Sequence, residues 1–277
     1  MRVAAIQMTS GSDVARNFDA IFRLVERASD HGATYIQLPE YATYWGPRSG
    51  YERAALSLED GFIAQLALLA RGRAVSVHLG SMLEPAPDGH FFNTSVVIDP
   101  HGQVAAVYRK THLFDACPPG GVTYFESEFI TPGDELVVVA VGEMRVGLSI
   151  CFDVRFAELY RSLALAGATA LAVPAAFSTH TGPAHWEVLV RARAIENHAF
   201  VIAAAQVGTT SEGLATHGHT IIVGPWGEVL VESKVASEDV VFADLDLEAV
   251  RERRAQIEVL RLRRPEVYRS DITIAGQ

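Results

Sequence analysis

Apolar residues recur along this chain in two rhythms, alternate and three-to-four apart, and the order of those rhythms is written twice. Residues 3–8 read as a buried strand. Val14, Phe18, Ile21, Phe22 and Val25 then follow at helical spacing, with Asp13 as the N-cap and Gly32 as the stop. Residues 34–38 form a short strand ended by Pro39, and Phe62, Leu66 and Leu69 mark a second helix. Residues 74–83 and 91–98 are strands, and the second runs through Asp99-Pro100-His101-Gly102 into a strand over 103–108. The second half gives the same order. Residues 145–150 are a strand, Asp153 opens a helical pattern, and Phe156, Leu159, Tyr160 and Leu163 carry it to Gly167. A strand over 169–173 ends at Pro174, and Trp186, Leu189, Val190 and Ile195 mark the next helix. Strands over 200–205 and 220–223 follow, the second turning through Gly224-Pro225-Trp226-Gly227 into 228–231. This duplication predicts one domain over residues 1–277, of class α/β: a four-layer α-β-β-α sandwich of two pseudo-equivalent halves. Strands covered by helices on one face and by a second sheet on the other stay apolar throughout, as these do. Residues 111–135 link the halves and are rich in Pro and Gly; a loop of that length inside a compact domain is usually functional.

Composition narrows the function classes. The formal net charge of −10 argues against a nucleic-acid surface, which needs a basic stripe. The arginines at 251, 253, 254, 261, 263 and 264 alternate with apolar and acidic residues and read as a solvated helix face, with a tail from about residue 255 reaching a contact. No apolar run approaches the ~20 residues that span a bilayer. The strand pattern starting at Val3 leaves no room for a signal peptide, and two cysteines, Cys117 and Cys151, do not make a secreted disulfide framework. A cytoplasmic protein with no membrane and no nucleic-acid partner is expected.

Strand ends gather the candidate chemistry. Glu40 follows the strand 34–38, Lys110 follows the last strand of the first half, and Cys151 follows the first strand of the second half. In open α/β sheets such positions face the ligand crevice. A carboxylate there can take the thiol proton, and an ammonium can hold the anion formed when sulfur attacks a carbonyl. No histidine is required. His180 with His185, and His217 with His219, are the nearest histidine sets; neither has the spacing that puts two metal ligands on one helical face, so no metal is expected. Cys117 reads as an incidental exposed thiol, and Tyr44 and Trp45 as pocket lining or ordinary packing.

The motifs Leu38-Pro39-Glu40, Tyr108-Arg109-Lys110-Thr111-His112-Leu113-Phe114 and Ser149-Ile150-Cys151-Phe152-Asp153-Val154-Arg155-Phe156 resemble those of the nitrilase superfamily of carbon–nitrogen hydrolases. The stretches Thr181-Gly182-Pro183-Ala184-His185-Trp186-Glu187 and 191–197 look most like the branch containing omega-amidase and deaminated-glutathione amidase. The resemblance implies an α-β-β-α fold, a catalytic triad of Glu40, Lys110 and Cys151, and a fourth glutamate at Glu126, with Glu128 as the neighbouring alternative. It implies no cofactor, and a small-molecule amide substrate hydrolysed through a thioester, with Lys110 and the Phe152 N–H holding the oxyanion. Cys-Phe-Asp resembles amidases, whereas nitrilases usually carry Trp-Glu after the cysteine. A carboxylate on the substrate would need a cationic or N–H-rich partner. Arg155, Arg48, Phe177, Thr181 and His185 are the candidates, the last three around the loop 178–181. An N-carbamoyl amino acid hydrolase and a catalytically silent scaffold are the rival readings. The resemblance also implies a homodimer or higher homo-oligomer, paired through the helix 153–167 with Phe156, Leu159 and Tyr160 near the partner surface.

Overall fold

The computed structural model describes residues 1–117, 123–210 and 213–268. In the first of two six-stranded sheets, β1 (Arg2–Gln7), β2 (Tyr35–Gln37), β3 (Ser76–Pro85), β4 (Phe91–Ile98) and β5 (Val104–Arg109) lie side by side in chain order. In the second, β6 (Val138–Val141), β7 (Met144–Leu148), β8 (Ala170–Ala172), β9 (Phe200–Ala203), β10 (Ile221–Val223) and β11 (Val229–Glu232) do the same. Strands β1, β2 and β3 are parallel, and β4 and β5 extend them antiparallel. Strands β7, β8 and β9 are likewise parallel, with β10 and β11 antiparallel beyond them. The repeated sequence pattern is therefore a repeated topology.

The sixth place of each sheet breaks the repeat. β12 (Asp239–Asp244), near the chain's end, crosses back to lie antiparallel on β1, whereas β6 precedes its own half and lies on β7. The periodicity predicts neither strand: β12 pairs with a strand more than two hundred residues away, and β6 is a short edge strand joined to β7 by a tight hairpin, with Val141 matched to Met144.

Side-chain alternation builds the four layers. From β1, Ala4 and Ile6 join Ile21, Leu24 and Val25 of α1 (Val14–Asp30) and Phe62 and Leu66 of α2 (Gly61–Arg73). Val3 and Ala5, on the opposite face, pack with the second sheet. Beyond that sheet lie α3 (Ala157–Leu165) and α4 (Gly182–Asn197), whose Leu163, Trp186 and Val190 belong to the same cluster. Fully burying one such aliphatic side chain contributes about 1.5–3 kcal/mol. Asp13 caps α1 as its spacing predicts, accepting from the Arg16 N–H at 3.2 Å. Gly147 in β7 is required by packing: a Cβ there would lie 2.9 Å from the Leu163 side chain, so glycine lets α3 approach the sheet.

Two expectations need correction. The helix predicted to open at Asp153 starts only at Ala157; Cys151–Arg155 form a 3-10 turn and Phe156 is extended, because the Asp153 carboxylate is committed to neighbouring segments. Leu159 and Tyr160 are 4% and 0% exposed and turned into the chain's own core. Most of the C-terminal arginines are engaged within the chain. Arg251, Arg261 and Arg264 pair with Glu248, Glu258 and Glu266, and Arg253 lies over the Trp226 ring. Arg254 departs from a solvated face, donating to the Ala168 and Asn197 carbonyls. Residues 269–277 of the expected tail lie outside the described residues, among which no helix is long and apolar enough to cross a membrane.

Candidate active site

The segment carrying Glu40 is held by an irregularity in the next strand. The register of β3 against β4 shifts between Leu79 and Met82, a bulge of the kind that re-aims neighbouring chain. At Gly80 a Cβ would lie 2.0 Å from the Leu38 carbonyl oxygen, so only glycine admits this approach. Ser81 then clamps the loop: its N–H donates to the Pro39 carbonyl, its hydroxyl accepts from the Tyr41 N–H, and its carbonyl accepts from Ala42. Tyr41 takes a left-handed φ of 54°, and Gln206 from the second half donates to the Glu40 carbonyl.

Lys110 leaves β5 with its N–H on the Asn93 carbonyl at 2.9 Å and its own carbonyl accepting from Gly133. Its ammonium lies 2.9 Å from Glu40 Oε1 and 2.8 Å from Glu126 Oε2. Lys110, Glu40 and Glu126 are 2%, 2% and 1% exposed. Glu126 also accepts from the Tyr41 hydroxyl at 2.8 Å, the Phe114 N–H at 2.6 Å and the Asn93 amide at 3.2 Å. The geometry separates the two candidate glutamates: Glu128 is exposed and pairs with Arg48 at 2.8 Å. Arg48, lying over the Phe129 ring, is thereby drawn to Glu128 rather than to the lysine cluster.

Cys151 opens the 3-10 turn after β7 with φ 46°, an uncommon conformation for a residue with a Cβ, and its N–H donates to the Pro174 carbonyl. Its nearly buried thiol lies close enough to the Glu40 carboxyl and the Ala176 backbone for both to act on its proton. Burial, then the Glu40 charge, pushes the thiol well above its ordinary range, and Lys110 only partly offsets this. Burial also raises the Glu40 carboxyl; Lys110 opposes that and Glu126 adds to it. Burial works against the Lys110 charge, yet Glu126 and Glu40 outweigh it and hold the ammonium well above the ordinary lysine range. The cluster thus contains a fixed cation, a carboxyl adjusted toward proton exchange, and a resting thiol.

Beside Cys151, Arg155 is half-buried, and desolvation lowers its pKa although the cysteine opposes this. Its guanidinium meets His185 Nδ1 at 3.3 Å and lies 5.2 Å from the Phe177 ring centre and 5.7 Å from that of Phe152. Among the described residues no carboxylate pairs with it. Phe152 in turn packs edge-on with Phe114 and Phe156. Of the other candidates, Thr181 uses its hydroxyl on Ser178 and its carbonyl on the His185 N–H. Tyr44 is core, donating to the Pro47 carbonyl, and Trp45 packs edge-on with Tyr41. His217 and His219 stack at 4.2 Å with Glu232 on His219, and among the described residues no group of three or more His, Cys, Asp or Glu could hold a metal. Cys117 is exposed beside Thr123.

Sequence reasoning misses two buried residues that join these parts. Asp153 accepts from the Tyr108 hydroxyl at 2.8 Å, from the His112 N–H at 3.0 Å and from the Ile150 N–H at 2.8 Å. One carboxylate thereby ties the chain flanking Lys110 to the turn of Cys151. Asn93 donates to both Glu40 and Glu126. Its signal was present: Asn93-Thr94-Ser95 is a polar run inside an apolar strand, and all three are fully buried.

The fold and these motif positions define a carbon–nitrogen hydrolase, and the chain belongs to that family, whose profile matches residues 2–255. It is 40% identical over 275 residues to the deaminated glutathione amidase of Rattus norvegicus, covering 97% of this chain and 84% of that one. It is 35% identical over 272 residues to the omega-amidase of Bos taurus, covering 96% of each. The nitrilase and fragile histidine triad fusion protein of Caenorhabditis elegans is 38% identical over 96% of this chain, which spans only 61% of that longer protein. Its crystal structure superposes with a TM-score of 0.90, covering 96% of this chain and 66% of that one. An amidase mutant from Nesterenkonia sp. AN1, with the acetamide moiety of fluoroacetamide added covalently at its active-site cysteine, is 28% identical with a TM-score of 0.81, covering 97% and 95% of the two chains.

Proposed function

We propose that this chain is a cysteine-dependent amidase acting on small carboxylate-bearing amides, with Cys151 as nucleophile, Glu40 as general base and acid, and Lys110 as the oxyanion's cation. The observation that carries the reading is the buried Glu40–Lys110–Glu126 cluster set against a thiol at a strand end. A thiol raised by burial is not a standing thiolate, so its proton must leave as the sulfur attacks. Glu40 takes that proton while Sγ bonds the amide carbon and the carbonyl π pair moves onto oxygen. The Lys110 ammonium and the Phe152 N–H hold that oxyanion. Collapse breaks the C–N bond, the nitrogen takes the proton from Glu40, and ammonia leaves. Water then gives a proton to Glu40 as its oxygen attacks the thioester; collapse releases the acid and returns the proton to sulfur. Glu126, receiving four donors, positions Lys110 rather than moving protons.

Glu40→Gln separates chemistry from stability. The amide keeps an oxygen for Lys110 but cannot accept the thiol proton, so turnover is expected to fall by about 10²–10⁴. Because burial raises Glu40, its ionised form costs the fold stability above the ordinary glutamate range, and the variant's melting temperature at pH 7 should rise or hold. Thermal unfolding beside a steady-state assay checks both; a glutamine variant that turns over at the wild-type rate would remove Glu40 from the mechanism.

The substrate reading rests on Arg155, a desolvated cation beside the nucleophile with no carboxylate partner among the described residues. Named relatives acting on deaminated glutathione or ω-amides agree with an acid-bearing amide. Arg155→Gln is expected to raise KM for a carboxylate-bearing amide at least tenfold relative to KM for a neutral amide of equal length, a charge-assisted hydrogen bond being about twice a neutral one. A panel of deaminated glutathione, 2-oxoglutaramate, 2-oxosuccinamate and N-carbamoyl amino acids, read by ammonia release, distinguishes the amidase reading from the N-carbamoyl one.

A further inference from the structure

We propose that Asn93 is a positioning residue that holds Glu40 as an ionised acceptor turned toward Cys151, an inference that rests on the reading of Glu40 as the general base. Asn93 lies on β4 and is fully buried. Its Nδ2 donates to Glu40 Oε1 at 3.0 Å and to Glu126 Oε1 at 3.2 Å, and its carbonyl accepts the Lys110 N–H. One residue thus touches three members of the cluster. Lys110 Nζ and Asn93 Nδ2 both converge on Glu40 Oε1, which leaves Oε2 as the oxygen for the thiol.

The orientation of the Asn93 amide has a cost and a cause. Its Oδ1 has no hydrogen-bond partner among the described residues. Turning the amide over would aim that oxygen at two carboxylates, so the side chain forgoes a bond at oxygen to keep two at nitrogen. Hydrogen bonds to a carboxylate favour its charged form. The groups facing this carboxyl from the neighbouring elements are Lys110, Glu126 and Cys151; Tyr41, Tyr51 and Tyr124 surround Glu126, and Arg155 lies beyond the cysteine. Among the neutral donors, only Asn93 reaches both glutamates in the described hydrogen bonds.

The test needs no substrate. Alkylation of Cys151 by iodoacetamide, followed across pH by mass spectrometry, should rise along an acidic limb set by Glu40. Asn93→Leu is expected to move that limb upward by about one pH unit or more, the loss of one hydrogen bond to a charged acceptor. Asn93→Asp fills the same space but adds a third carboxyl, and should move the limb further in the same direction. Asn93→Asp decides alone if the leucine variant does not fold. A limb that stays at the wild-type pH in the variants, with only a uniform fall in rate, would overturn the inference and leave Asn93 as packing. Glu40→Gln is the control for the underlying reading: if it keeps the wild-type limb, the base assignment fails, and that result is distinct from a failure at Asn93.

Discussion

Lys110→Met is expected to abolish amide turnover and to destabilise the fold by about 3–5 kcal/mol at neutral pH, the usual consequence of removing one partner from a buried ion cluster. The methionine fills most of the space but leaves Glu40 and Glu126 facing each other with almost no solvent contact. Their repulsion, screened in the wild type by the ammonium at 2.8–2.9 Å, is relieved only if the pair takes up a proton. The sign of the pH dependence follows. In the wild type, the raised Lys110 contributes stability that is fully present below the ordinary lysine range and is lost only as pH rises beyond it, so the term is constant near neutrality. In the variant, Glu40 binds its proton more tightly folded than unfolded, so stability falls as pH rises from the ordinary glutamate range toward the folded value. The melting-temperature deficit should therefore be smallest near pH 4–5 and grow toward pH 7. Activity should not recover at any pH, because the lost oxyanion cation is worth about 3–4 kcal/mol in the transition state even when treated as one neutral donor.

Cys151→Ala is the second large effect, and it separates from the first in stability. The substitution removes one nearly buried sulfur and leaves the residue's own N–H on the Pro174 carbonyl. Unfolding free energy is expected to change by about 1 kcal/mol or less at pH 7. The buried thiol is raised, so ionising it costs the folded wild type stability only above the ordinary thiol range; the alanine variant should lose less stability than the wild type on passing pH 9. Turnover is different in kind: with no nucleophile, no acyl-enzyme forms, and the remaining cluster can only hold a substrate.

Much of this was legible in the chain, and particular residues show why the rest was not. The strand–Pro signals at Pro39 and Pro174 and the turns at 99–102 and 224–227 repeat in sequence because each half folds by local rules. The same repeat put Glu40, Lys110 and Cys151 at strand ends, and in the fold those ends face one another. β12 escaped because its partner is non-local: Val241 is matched to Ala5, more than two hundred residues away, whereas β6 pairs locally with β7 across Gly142-Glu143. The bulge at Gly80 escaped for a related reason, since its glycine is demanded by the Leu38 carbonyl, a neighbour only in space. Asp153 read as a helix start because its bonds to Tyr108 and His112 cross from one half to the other. Asn93 needed no distant knowledge to be noticed: three polar residues inside an apolar strand must each find a buried partner.

Ammonia release by purified wild-type and Cys151→Ala proteins, on the same carboxylate-bearing amide at equal concentration, tests the central assignment most directly. The wild type is expected to release ammonia saturably, and the folded alanine variant at a rate indistinguishable from the buffer. Saturable turnover by Cys151→Ala would contradict that assignment.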